Sequence, residues 1–113
     1  MDKTEEVVKA FRMMFDNYPE SAILVNKDRD IIAVNKLAPA TGRVEGIKCA
    51  TVPPPEQHNG CKLGEAAAAG QAAYRKKTGA LGDVISFWVP VEGHPDYFVH
   101  FSVGSIKKYE YNQ

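Results

Sequence analysis

Cys49, His58 and Cys61 stand close together in this 113-residue chain, spaced Cys-x8-His-x2-Cys. Two thiolates and an imidazole are ligands for zinc or iron, and two nearby thiols can register oxidation. Zinc prefers a fourth ligand, but there is no third cysteine, and His94 and His100 lie far along the sequence. The lack of a Cys-x-x-Cys pair argues against an iron–sulfur cluster. The plainer reading makes both thiols small apolar fillers and His58 a solvated loop residue. Either Cys49, His58 and Cys61 form a redox or metal site, or they serve packing alone.

Other chemistry finds little footing. No serine–histidine–acid set, phosphate-cradling glycine motif or helically spaced carboxylate pair can be placed, so the chain is not expected to be an enzyme. Fourteen basic and 14 acidic side chains cancel, leaving no net field to gather nucleic acid or anionic lipid. No apolar run is long enough to span a bilayer, and Asp2, Glu5 and Glu6 interrupt the N-terminus where a signal peptide needs an apolar core. A cytoplasmic location is expected, with both cysteines as free thiols. The length and a 44% hydrophobic share fit one soluble domain with one core.

The elements around these residues follow from periodicity. Val7, Val8, Phe11, Met14 and Phe15 recur at intervals of three and four, with Lys9, Arg12 and Asp16 on the other side; this is an amphipathic helix that ends before Pro19. Its apolar face covers either its own sheet or a second copy of the chain. Ala22–Val25 and Ile31–Val34 flank the turn-prone residues 26–30, which is a hairpin signal. Asn35 then stands where its side chain can cap a short helix near Lys36–Thr41. Pro53, Pro54 and Pro55 forbid a regular helix or central strand. Helix formers resume at Cys61–Ala69 and stop at Gly70, which suits a left-handed closing residue. Ala72–Lys77 is a weak strand that could instead prolong the helix. Val84–Val91 and Tyr97–Ile106 alternate strongly, with residues 92–96 as the turn between them.

A hairpin ending in Val34-Asn35, a small helix closed by Thr41-Gly42, and then three strands resembles the PAS domain, over about Phe15 to Ile106. Gly46-Ile47-Lys48-Cys49 and the Cys61-Lys62-Leu63-Gly64-Glu65-Ala66 helix closed by Gly70 look like motifs of one broad group of bacterial PAS domains. The resemblance implies an α+β fold: a five-stranded antiparallel sheet with short helices on one face and an N-terminal amphipathic helix. It divides the chain into a leading helix (1–18), the PAS domain (19–107) and a tail (108–113). It also implies a sensor that binds a small ligand or reads redox state and passes the signal by protein–protein contact. The expected partners are a second copy, through Val7, Phe11, Met14 and Phe15, and a kinase or regulator. A ligand-free dimerisation module of the same fold is the alternative.

In a PAS fold the inner faces of the strands line a pocket, and Val25, Val34, Leu63, Phe87, Val89, Phe98 and His100 are the candidates here. Which alternate set of the last two strands points inward stays open. Flavin is disfavoured, because LOV-type PAS domains need Asn-Cys-Arg-Phe-Leu-Gln where this chain has Lys48-Cys49-Ala50-Thr51-Val52-Pro53, and no asparagine occurs from Gly60 to Tyr111. Haem-binding members draw an axial histidine from the helix before the third strand. Leu63–Ala69 has none, which leaves His100 as the residue to consider. The Asp-x-Thr that often closes the last strand is replaced by Gly104-Ser105-Ile106-Lys107-Lys108, and with no kinase, cyclase or DNA-binding segment after it the chain is expected either to act in trans or to come from something larger.

Overall fold

The computed structural model describes residues 3–53, 55–79 and 82–104, with the side chains of Lys3, Glu56 and Gln57 excepted. Helix α1 (Lys3–Phe15) has Glu5 and Glu6 in its first turn and Arg12 in its last, each complementing the helix dipole. The strands are β1 (Ala22–Asn26), β2 (Ile31–Val34), β3 (Ala73–Gly79), β4 (Gly82–Val91) and β5 (His94–Val103). They form one antiparallel sheet in the order β2-β1-β5-β4-β3. Helix α2 (Leu63–Ala69) and 3₁₀ turns at Ala38–Thr41, Cys49–Thr51 and Pro55–His58 fill the connection from β2 to β3. The expected five-stranded α+β architecture is what forms. Residues 105–113, including the assigned tail, lie outside the described residues.

Each face of the sheet is covered. On the inner face, Ile23, Val25, Ile31, Trp88 and Phe98 pack with Ala38, Leu63 and Ala66 from the short helices. On the outer face, Val7 and Phe11 of α1 pack against Ala22, Leu24, Ala33 and Val99. The apolar side of α1 is therefore taken by its own sheet: Val7 and Phe11 are buried at 3% and 2% exposure. This corrects their assignment to a dimer seam. Phe15 stays on this face too, its ring 5.4 Å from that of Phe101. Met14 departs from the expected stripe; it is 72% exposed, beside Met13 at 78%.

Two local features differ from the sequence reading, the course of β2 and the length of the last turn, and a third, β3, forms as the weak strand expected. A bulge in β2 pairs Val25 with Ile31 and Leu24 with Ala33, skipping Ile32. The extra residue flips the alternation, so Ile31 and Val34 face inward while Ile32 lies with the α1 cluster. Ala73–Lys77 is a strand because its backbone pairs with Val84–Trp88, and that pairing overrides a sequence that tolerates helix. The turn from β4 to β5 is only Glu92-Gly93; Gly93 takes φ +79, which permits so short a hairpin, and His94 already pairs with Val91.

Asn35 ties these parts together. Its Oδ1 accepts the N–H of Ala22 at 3.0 Å and of Ala38 at 3.1 Å, so it does cap the turn that follows. Its Nδ2 donates to the carbonyls of Glu20 at 2.7 Å and Phe15 at 3.1 Å. One buried amide thus joins the end of α1, the start of β1 and the first 3₁₀ turn.

Candidate functional site

Between the inner face of the sheet and the wall made by α2 and the 3₁₀ turns lies a cavity of about 620 Å³. That volume is in the range of small-molecule sites. The strand alternation decides what it meets. Trp88 pairs with His100, Ser86 with Ser102, and Ala73 with Trp88, so these residues share the inner face. The Trp88 and His100 rings stack with centroids 4.5 Å apart, and the Ser86 and Ser102 hydroxyls lie 2.9 Å apart. The opposite wall brings Cys49, His58, Cys61 and Leu63 to the cavity, with Thr41.

Of the expected pocket residues, Val25, Leu63 and His100 line this cavity. Phe98 and Val34 belong to the inner core rather than to the cavity surface. Phe87 and Val89 are corrected: the period of two carries them to the outer face. There the Phe87 ring stacks on Phe101 at 5.4 Å, and Val89 pairs with Val99 beneath α1. Trp88 and Ser86 take the inward places between them.

Cys49, His58 and Cys61 all reach the cavity, yet among the described residues no three His, Cys, Asp or Glu side chains are gathered to hold a metal ion. This corrects their reading as a metal centre. His58 Nε2 is engaged with the Val52 carbonyl at 2.6 Å. Both cysteines are free thiols. Burial pushes the Cys49 thiol above its ordinary range and outweighs a hydrogen bond and favourable charge from Arg43. A thiol held protonated is a poor nucleophile, which slows reaction at Cys49 near neutral pH.

His100 is the other titratable group at the centre. Burial pulls its pKa down to about 4, opposed by a 3.0 Å hydrogen bond to the Phe87 carbonyl and reinforced by Arg43, Arg75 and His58. The ring is neutral near pH 7; Nδ1 donates to the carbonyl, and Nε2 keeps its lone pair. Lying flat on Trp88, the imidazole is positioned by stacking as much as by its hydrogen bond.

The residues missed by sequence reasoning are cationic. Arg75 and Lys77 on β3 pair with Ser86 and Val84, which places both on the inner face and at the cavity. Arg75 carries its guanidinium 5.8 Å from the Trp88 ring centre and donates to the Asn59 carbonyl. Gly60, at φ +78, makes room for it; a Cβ there would sit 3.1 Å from the Arg75 side chain. Arg29 and Arg43 reach the cavity from the β1–β2 turn and the loop after the first 3₁₀ turn. The one signal in the sequence was the alternation Arg75-Lys76-Lys77, which gains meaning only once the pairing of β3 is known.

No family model and no curated protein matches the chain. Solved structures do match. The PAS domain of Bordetella pertussis BvgS superposes with a TM-score of 0.66 at 16% identity, over 95% of this chain and 93% of that one. A sensory box sensor histidine kinase from Vibrio cholerae gives 0.61 at 12% identity, over 90% and 94%. The photoactive yellow protein domain of the sensor histidine kinase Ppr from Rhodospirillum centenum gives 0.58 at 17%, over 87% and 97%. With this strand order, these helices and these neighbours, the chain has the PAS fold.

Proposed function

We propose that this chain is a sensory domain that binds a small molecule in its inner cavity and relays occupancy to a signalling partner, without catalysing a reaction. The observation that carries the reading is the cavity of about 620 Å³, lined by strand residues and by Cys61 and Leu63. Similarity in fold to domains of sensor histidine kinases supports the same reading. An occupant favours whichever arrangement of sheet and α1 it fits better, and the populations shift accordingly. Native mass spectrometry of the purified chain, with an absorption spectrum, tests it. A retained small molecule, or a thermal shift on adding one, is the expected result. A bare protein that no small molecule stabilises removes the reading.

A second reading, self-association through α1, is favoured by Met13 and Met14, which stand exposed on that helix. Light scattering on the wild type and a Met13→Glu/Met14→Glu variant separates it from the first. A concentration-dependent dimer abolished by the double substitution supports it, and a monomer in both discards it.

A further inference from the structure

We infer that Cys49 and Cys61 form an oxidation site, a thiol pair at the cavity wall that a hydroperoxide converts to a disulfide. This goes beyond the proposed function and needs no occupant of the cavity.

These are the two cysteines of the chain, and both are free and half-buried. They line the same cavity and pack against the same inner cluster as Leu63 and Trp88. They are near enough for charge on Cys61 to oppose charge on Cys49. The space they share, about 620 Å³, has room for a small peroxide.

The backbone between them is folded back on itself. The Cys49 N–H donates to the Arg29 carbonyl at 2.8 Å, which fixes it beside the β1–β2 turn. The Val52 N–H donates to the Cys49 carbonyl at 3.1 Å, and the Val52 carbonyl accepts from His58 Nε2 at 2.6 Å. The His58 carbonyl in turn accepts the Cys61 N–H at 3.2 Å. Val52, at 2% exposure, pins the middle of this chain of contacts. His58 therefore fastens the loop instead of joining the thiols as a third ligand. A segment already closed has little loop entropy left to lose when its ends are joined. The bond would tie the wall anchored at Arg29 to the residues that lead into α2.

Burial holds Cys49 protonated near neutral pH, which places it as the resolving thiol and Cys61 as the one that meets the peroxide. The Cys61 thiolate attacks one peroxide oxygen. An S–O bond forms, the O–O bond breaks, and the departing alkoxide, or hydroxide from hydrogen peroxide, takes up a proton. The Cys49 sulfur gives up its proton and attacks the sulfenic acid on Cys61. The S–S bond forms, the S–O bond breaks, and the hydroxide leaves as water with that proton. In sum, two thiols and one hydroperoxide give a disulfide, an alcohol and water, and two electrons pass from sulfur to oxygen. The second step is intramolecular, which offsets the small thiolate fraction of Cys49.

The test adds hydrogen peroxide to the reduced, purified full chain and reads intact mass, free thiols and a peptide map. The expected result is a monomer lighter by about 2 Da, with both thiols lost, a Cys49–Cys61 peptide, and full reversal by dithiothreitol. The oxidised chain is expected to melt above the reduced one, as for a cross-link that the fold accommodates. Cys49→Ser should stop at a sulfenic acid on Cys61, trapped by dimedone, while Cys61→Ser should trap dimedone at Cys49 at least about tenfold more slowly. Thiols left free, links formed only between chains, or an oxidised form that melts below the reduced one each overturn the pair. Faster trapping at Cys49 than at Cys61 overturns the order of attack. If a serine variant fails to fold, the wild-type map and melting decide alone. Failure here leaves the small-molecule reading standing, since that reading is judged by retained or stabilising ligand and not by thiols.

Discussion

The Glu20 carboxylate accepts the backbone N–H of Gly104 at 2.5 Å. Glu20 precedes β1, Gly104 follows β5, and the two strands are paired neighbours. A carboxylate that lines the cavity therefore fastens the residue next to the end of β5. A Cβ at Gly104 would lie 2.8 Å from Glu20 Oε1 and 3.0 Å from Oε2. Gly104→Ala is expected to destabilise the domain by about 1–3 kcal/mol, since the carboxylate must move off its donor. In a Glu20→Ala background the same change should cost clearly less. Urea unfolding of the four proteins in the cycle measures the coupling, and additive effects would refute the clamp.

Asn35→Ala is expected to be among the most damaging polar substitutions. It strips an acceptor from Ala22 and Ala38 and a donor from Glu20 and Phe15, all at 2% exposure of the side chain's residue. A loss of about 2–4 kcal/mol follows from several buried groups left without partners. Asn35→Asp should not rescue it, because a carboxylate would face two carbonyl oxygens. A fall in thermal midpoint for both variants checks this.

His100 makes the domain acid-sensitive in a defined window. An unfolded histidine titrates near 6.5 and this one at about 4, so between those values the unfolded chain binds more protons. The contribution is fully present above pH 6.5 and is lost as pH falls toward 4, reaching about 3 kcal/mol at most. His100→Gln should flatten that part of the profile. Denaturation midpoints of wild type and variant at about pH 7 and about pH 5 compare the slopes.

Cys49 should be a sluggish thiol. Burial raises its pKa, so alkylation near neutral pH is expected to run several-fold slower than for a thiol in an unfolded peptide. Timed iodoacetamide labelling with peptide mapping reads the rate at Cys49 directly. Fast labelling at neutral pH would contradict this.

On α1, Phe11→Ala is expected to cost about 3–5 kcal/mol, as for an aromatic removed from a packed core, and Met14→Ala close to nothing. Thermal unfolding distinguishes the two.

Features set by local chemistry were legible from the chain itself. Asn35 as a cap, Gly70 as the left-handed close of α2, and the hairpin around residues 26–30 each depend on a few neighbouring residues. Which way β4 and β5 turn was not legible. Both faces of this sheet are covered, so Phe87 and Trp88 look equally apolar, and only the partner across the strand separates them. The side that Ile32 takes was hidden for another reason: one inserted residue reverses the alternation and leaves no mark in composition. The same holds for the cationic lining, since Arg43 sits in a loop and Arg75 in a segment that tolerates helix until β4 pairs with it.

The sheet is a single layer of backbone shared by two unlike compartments. On β5, His100 looks into the cavity while its neighbours Val99 and Phe101 support α1; on β4, Trp88 and Phe87 divide in the same way. Nothing thicker than one strand separates an occupant's contacts from the aromatic bed of the helix. Any molecule that bows β5 outward must disturb the Phe15–Phe101 contact on the far side, and the ring environment of Phe101 is the natural place to watch for it.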